Sequence, residues 1–543
     1  MMADMVLFSA DAQTGRGMKG PADFETCREL LAFMDRLGIS RSLVWDIGAR
    51  DHHPMTGNRR LMAELDSLGP QRQRLVPSFV VAPSMLHETG AMDELTEALG
   101  SRQVRALRLM CRSLSHKLRH VEPVVRQLAR FRPVLLVDVR EIADDADLLA
   151  FAEALPDTPI ICLHAMWPQF FGVFNLLDLL KRRPNIRVGT SWMHTHGTIE
   201  KLAEEFGPER LIFSTGLPAH NGAAIGALAQ APVSQDVRER IAHGNLDRLL
   251  DLPPPPPVRR PPLNPLWETF LQGRPLEVGI IDAHGHLGPM GTWPGSGGGI
   301  KGHIEAALRA MDRLGIRTQI ASTGQALFGE PIEGNRQLQQ HASAHGERFR
   351  GYLGFNPYYQ EGLAERLDEF FSQSFFVGIK FLCSYWQVPV TDERLRPALE
   401  YAQQRRLPIL LHTWDDQYNS PAMLKEVVKK YPDAAFLLGH SGGGDAGRLE
   451  AHELAAANPN VYLEWCGSFC SSIPWETTLK VVDPSRVIFG SDALGHSMAW
   501  ELARLLSLDV PQDVLEPILA HNMLRVLDRA DVPGADAFRR RAS

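Results

Sequence analysis

The sequence predicts an α/β protein built from two tandem (β/α)8 barrels. Three observations carry that prediction: a long internal repeat, a proline-rich break between its copies, and short apolar runs alternating with helical stretches. The hexapeptide MDRLGI occurs at Met34 to Ile39 and again at Met311 to Ile316. In a chain of 543 residues this leaves room for two units of roughly 250 residues, the usual size of such a barrel. The match continues in order. GNRRL from Gly57 parallels GNRQL from Gly334, VRALRLMC ending at Cys111 parallels VGIKFLC ending at Cys383, and PERLIFSTG parallels PSRVIFGSD. Order kept over this length indicates an intrachain duplication.

The run LPPPPPVRRPPLNP, from Leu252 to Pro265, lacks amide donors at its prolines and has φ locked there, so it reads as a stiff extended connector. The expected organisation is a first barrel over residues 1–251, a linker over 252–275, a second barrel over 276–530 and a tail over 531–543. A stiff linker favours an intrachain pseudo-dimer, to which further homo-oligomerisation could be added.

Within each half, runs such as VGIIDA, VGIKF, PILLHT, AFLLGH and RVIFGSD alternate with stretches such as HIEAALRAMDRLGI. Continuous apolar strands separated by helices indicate a parallel sheet covered on both faces. Closure into a barrel is favoured because polar residues stand at the carboxyl end of nearly every strand, where barrels gather them at one mouth. No Gly-rich phosphate loop follows a strand, and GSGGG at Gly295 to Gly299 reads as a flexible lid.

Composition excludes some function classes. With 44% hydrophobic and 22% charged residues the chain is ordinary globular material, and a net charge of -7 gives no general attraction to nucleic acid or anionic membrane. Residues 1–20 lack a basic start followed by an apolar run, and no stretch approaches the about 18 apolar residues of a membrane helix. A cytoplasmic protein with a small-molecule substrate, and with neither nucleic acid nor membrane as partner, is expected. The six cysteines show no CxxC spacing; Cys111 and Cys383 read as small packing residues.

The second half carries the chemistry. His284 and His286 end its first strand in IIDAHGH, and residues two apart on a strand face the same way. His412 ends PILLH, His440 ends FLLGH and Asp492 ends VIFGSD. Imidazoles and a carboxylate capping four strands of one unit suit a divalent metal with one position open for water. Zn²⁺ is the expected ion, and Fe or Mn is compatible with the same donors. Bound water would then serve as a hydroxide nucleophile. Trp293, Tyr385, Trp386, Trp414 and Trp465 lie just beyond strand ends, where Trp293, Trp386 and Trp414 in particular would wall a pocket for a planar substrate.

This ordered set resembles the amidohydrolase superfamily, in its amidohydrolase 2 branch, which includes aminocarboxymuconate-semialdehyde decarboxylase. The resemblance spans Ile280 to about Leu527. It implies one metal held by His284, His286, His412 and Asp492, with His440 unligated as acid/base group. Lys380, in VGIKF, would be either a carboxylated lysine bridging two metals or, preferably, an unmodified cation for a substrate carboxylate or carbonyl. Glu464 could join the mouth or serve as a hydrogen-bonded support. The branch contains hydrolases, non-oxidative decarboxylases and hydratases.

The first half is expected to be a degenerate copy, a pseudoenzyme domain. Alignment places Gln13 and Gly15, or else Leu7 and Ser9, at the positions of His284 and His286. Val137 is expected at that of His412, Gly216 at Asp492 and Arg108 at Lys380, while only His164 matches His440. Arg50, Arg108, Arg112 and Arg140 follow strand ends, and solvated surface arginines are expected in preference to a basic mouth that binds an anion. The reading that follows is a metal-dependent hydrolase attacking an amide, lactone or related carbonyl through metal-bound hydroxide, with His440 and Asp492 moving protons. The rivals are a metal-dependent decarboxylase or hydratase of an unsaturated or aromatic carboxylic acid, and a non-catalytic binding or assembly protein.

Overall fold

The computed structural model describes residues 5–165, 172–216, 218–258, 260–289, 298–467 and 471–539. The chain divides into two compact units, Met1–Leu263 and Asn264–Ser543. The first carries a parallel sheet of strands β1 (Phe8–Ser9), β2 (Arg41–Asp46), β3 (Leu75–Val81), β4 (Ala106–Leu109), β5 (Val134–Asp138), β6 (Ile160–Leu163), β7 (Ile186–Gly189) and β8 (Leu211–Ile212), each paired with the next. The second repeats the plan with β9 (Ile280–His286), β10 (Ile316–Ser322), β11 (Phe349–Gly354), β12 (Phe376–Phe381), β13 (Pro408–His412), β14 (Ala435–Gly439), β15 (Val461–Glu464) and β16 (Val487–Ile488). Helices fill the crossovers, so each unit is a (β/α)8 barrel. Among the described residues no helix is long and apolar enough to cross a membrane.

Alternate strand residues fill each interior: Phe8, Ala10, Leu43, Val134, Leu136 and Ile161 in one, Ile281, Ala283, Ile320, Leu410, Leu437 and Ile488 in the other. The residues between them pack outward under the helices. Asn264 caps a helix over Pro265–Leu271 whose Trp267 is fully buried, and Val532, Ala535 and Phe538 are buried at the carboxyl end.

The repeated hexapeptide has a structural meaning. Helices Cys27–Leu37 and Gly299–Leu314 end on its leucine, and Met34, Leu37, Met311 and Leu314 are all buried. Gly38 and Gly315 then take left-handed φ values of 78° and 80°, which stop the helix at little steric cost. The aspartates, Asp35 and Asp312, pair with Arg74 and Arg348, which also bond the carbonyls of Ile39 and Ile316. The repeat is thus a helix stop and a strand start held by an arginine from the following crossover.

Asparagines staple the same places in both units. Asn58 exchanges both hydrogen bonds with Val80 (2.9 and 3.0 Å), and Asn335 does so with Gly354 (3.0 and 3.0 Å). Asn185 donates to the carbonyls of Ala152, Leu155 and Thr158, and Asn460 to those of Val428, Tyr431 and Ala434.

Closure fixes which positions of the two units correspond. Ala10 N–H donates to Phe213 O (2.9 Å) as Ala283 N–H donates to Phe489 O (3.0 Å). Asp11 and Gln13 therefore stand where His284 and His286 stand, correcting both alignments offered above. Likewise Asp138 is in register with Leu163 as His412 is with Gly439, each two residues beyond an inward leucine, Leu136 or Leu410. Asp138, not Val137, occupies the place of His412; a slip of one residue exchanges the two faces of a strand.

Replacing Asn335 with alanine strands a buried N–H and a buried carbonyl, so we expect a loss of about 2–4 kcal/mol in the second barrel. Asn58→Ala should cost the first barrel a similar amount. Urea unfolding checks this, and a cost below about 0.5 kcal/mol, the range of ordinary surface changes, would refute it.

Candidate metal centre and active site

The mouth of the second barrel gathers side chains from β9, β10, β12, β13, β14 and β15 and from the segment after β16. His284 and His286, on the same face of β9, both point toward Asp492. Its Oδ1 lies 3.1 Å from His286 Nε2 and 3.6 Å from His284 Nε2. Their other ring nitrogens have partners: His284 Nδ1 is 3.1 Å from Glu464 Oε2, and His286 Nδ1 is 3.1 Å from Ser322 Oγ. A carboxylate or hydroxyl behind the remote nitrogen fixes the tautomer and presents the other lone pair.

Glu464 is fully buried and does more than hold His284. Its carboxylate accepts from the amides of His440 (3.1 Å) and Cys466 (2.9 Å) and from the Cys466 thiol (3.1 Å). Gly490 makes room for it, because a side chain there would run into Glu464 and His284. The imidazole of His440 lies 5.3 Å from that of His284 and 4.6 Å from that of His412, between ring centroids. His440 and Asp492 both have positive φ, 64° and 55°, a conformation that costs a non-glycine residue energy and recurs at functional sites.

Lys380 is fully buried, with Nζ 2.7 Å from His284 Nε2. Burial pulls its ammonium down to about 8, against the pull of Asp492 and Glu464 in the other direction. Burial also depresses His440 to about 3 and holds His284 and His412 well below the usual imidazole range, so these rings are neutral. Burial alone would raise the Asp492 carboxyl, but His284 and His286 overcome it and keep that group ionised.

These donors fit a divalent cation. Among the described residues, one atom each from His284, His440, Cys466 and Asp492 lies within 4.8 Å of every other, a set that shares His284 and Asp492 with the expected ligands but holds His440 and Cys466 in place of His286 and His412. Around an ion with bonds of about 2.1 Å, tetrahedral donors are about 3.4 Å apart, and the two imidazole–Asp492 separations bracket that value. Neutral imidazoles and an ionised carboxylate are the protonation states a metal requires.

The aromatic residues divide. Trp414 stacks on His412 with an interplanar angle of 2° and meets His440 edge-on at 5.7 Å. Tyr385 lies edge-on to His412 at 5.2 Å. Trp386 instead donates its indole N–H to Leu327 O and packs on Phe381, and Trp465 stacks on Trp475 in the core. Trp293 lies outside the described residues.

Sequence reading missed several members. Cys466 lies 3.1 Å from His284 Nδ1 and 3.6 Å from His440 Nδ1. It follows Glu464 by two residues, the same spacing as His284 and His286. Asp282, two residues before His284, accepts from Gln319, from the amide and hydroxyl of Ser491 and from the amide of His284, and burial pushes it up to about 7. His496 stands 3.9 Å from Asp492 and 3.2 Å from Glu501, which pairs with Arg504 at 2.7 Å. No strand pattern announces this last group.

Among curated proteins none matches the chain. Among solved structures, the chain is similar to 5-carboxyvanillate decarboxylase from Sphingomonas paucimobilis, with 14% identity, 46% of this chain and 98% of that one covered, and a TM-score of 0.35. It is similar to a dihydroxybenzoic acid decarboxylase from Polaromonas with bound manganese and 2-nitroresorcinol, with 14% identity, coverage of 46% and 96%, and a TM-score of 0.36. A TIM-barrel protein from Bordetella bronchiseptica matches with 17% identity, coverage of 42% and 83%, and a TM-score of 0.35. The amidohydrolase family model matches residues 48–252 and again residues 281–529, more than half of the chain, and the chain belongs to that family as a tandem duplication.

Proposed function

We propose that the second barrel is the catalytic unit of a metal-dependent hydrolase acting on a small-molecule amide, lactone or related carbonyl. The observation that carries this reading is the approach of His284 Nε2 and His286 Nε2 to Asp492 while their Nδ1 atoms are held from behind by Glu464 and Ser322. One divalent cation would be held by His284, His286, His412 and Asp492, with Cys466 near enough to compete for a position. Zn²⁺ is the expected ion, and Fe or Mn would suit the same donors. When bound, such an ion polarises a carbonyl and lowers the pKa of a coordinated water.

The chain's own residues supply the rest. The ionised Asp492 carboxylate takes the proton of the attacking water, and the neutral His440 imidazole relays it toward the leaving group. Lys380 offers an ammonium to a substrate oxygen at the floor of the mouth, and Trp414 forms an apolar wall beside His412 and His440. The first barrel takes no part in the metal chemistry.

One observation favours a second reading, non-oxidative decarboxylation of an unsaturated or aromatic carboxylic acid: Lys380 is a fully buried cation beside His284, suited to a substrate carboxylate. A screen of cyclic amides, lactones and unsaturated acids separates the two, through ring-opened acid or amine in one case and carbon dioxide in the other. His440→Ala should lower turnover of the true substrate by about 10²–10⁴-fold. Unchanged turnover in that variant would remove His440 from the mechanism.

Metal analysis of the purified chain should find about one equivalent; two equivalents held with equal strength would sink the model of one metal-bearing barrel. Glu464→Gln places an amide where a carboxylate accepts several N–H groups, so metal affinity measured by competition with a chelator should fall about 10–100-fold. Wild-type affinity in that variant would show that Glu464 does not orient His284.

A further inference from the structure

The mouth of the first barrel is not blank. A cavity of about 370 Å³ opens there, lined by Ser9, Asp11, Trp45, Arg108, Asp138 and His164 among others, a volume within the range of small-molecule pockets. The sequence reading expected solvated arginines at the strand ends. Arg108 instead is 2% exposed, bonds Asp11 at 2.7 Å and lies 5.1 Å over the Trp45 ring. Arg140 chelates Asp138, and its guanidinium lies 5.8 Å over Trp192.

Two buried polar atoms of residues that line this cavity have no hydrogen-bond partner among the described residues: Arg108 Nε and His164 Nε2. His164, also 2% exposed, is fixed from behind by Asp138 at 2.9 Å from Nδ1, with Arg140 3.1 Å from the same nitrogen. Its Nε2 lies 3.9 Å from Asp11, too far for a hydrogen bond. A buried donor is rarely left unmatched, because it forfeits its bond to water.

We propose that this mouth is a second ligand site, which holds a small organic carboxylate between Arg108 Nε and His164 Nε2. The charges decide the class. Asp11 is matched by Arg108 and Asp138 by Arg140, while Arg50 pairs with Asp51 and Glu141 is bonded by Ser113. Asp23, raised by burial, is bonded by Gln13. A monoanion would place a single negative charge between Arg108 Nε and His164 Nε2. A phosphate dianion would meet the carboxylates of Asp11 and Asp138 with one guanidinium edge and one ring to hold it. A cation would meet three arginines, Arg50, Arg108 and Arg140. Phe24, Phe33 and Met110 also line the cavity, so an acid bearing a ring fits better than acetate.

Benzoate is the probe, titrated calorimetrically into the full-length protein. Asp11→Asn combined with Arg108→Met removes the ion pair without stranding either charge, and His164→Gln tests the imidazole alone. Each should weaken benzoate binding by at least about tenfold, while Lys380→Met in the second barrel should leave that binding event in place. The proposal is overturned by any of four results: no binding of benzoate to the wild type, wild-type affinity in both first-barrel variants, benzamide or phosphate binding as tightly as benzoate, or loss of binding in Lys380→Met alone. Should the double variant fail to fold, judged by its thermal unfolding, His164→Gln decides. Metal content is measured on the same variants, so failure here leaves the reading of the second barrel untouched.

Discussion

The constraint on which the second unit depends is the closure of its barrel, made by the segments that also carry its chemistry. Ala283 N–H donates to Phe489 O, Asp492 N–H to His284 O and His286 N–H to Ala493 O, so the first strand and the end of the last are joined through the backbone of the histidine pair and of Asp492. Asp282 ties the same seam with bonds to Ser491 and Gln319. Bringing imidazoles and carboxylate together therefore needs no separate device. It follows from the pairing that removes the two free edges of an eight-stranded sheet, edges that would otherwise leave backbone groups unpaired.

The first unit shows that this scaffold is independent of the chemistry mounted on it. Ala10 N–H bonds Phe213 O in the same place. The left-handed turn recurs as well: φ is 53° at His164 and 64° at His440, and 77° at Gly216 against 55° at Asp492. A glycine adopts that conformation at little cost, whereas Asp492 must hold it against strain. The backbone takes the same path with or without the side chain, because the path serves closure.

These relations were unevenly legible in the sequence. The barrels were readable because the letters shared by the halves are structural ones: the helix-stopping glycines, Asn58 and Asn335 against the third strands, Arg74 and Arg348 across the hexapeptide turns. The histidines and Asp492 were readable because each ends an apolar run. The correspondence between mouths was not, since aligning letters allows a shift of one or two residues while a strand's alternation does not. Matching inward-facing Leu136 with Leu410 would have found Asp138. Cys466 was within reach of the spacing rule that found the histidine pair, applied beyond the histidines, whereas Asp282 was not, because the strand register shifts between Asp282 and Gly285. His496 and Glu501 were not, because they sit in a loop and a following helix whose path only tertiary packing determines.

The corresponding residues of the two mouths explain why one suits a metal and the other does not. In the second barrel, ionised Asp492 faces neutral imidazoles, Glu464 backs His284, and Lys380 is the cation among them. That arrangement leaves negative charge for a divalent ion to satisfy. In the first barrel, Asp11 and Asp138 hold positions matching His284 and His412, and Arg108 holds that of Lys380, with Arg140 added. Each carboxylate there already has a guanidinium. An ammonium on a flexible stem can yield its place to an arriving ion, but a planar guanidinium bonded to Asp11 and packed on Trp45 is fixed and permanently charged. The exchange of lysine for arginine at the fourth strand is therefore not conservative: it builds a permanent cation into the mouth and fixes it against Asp11.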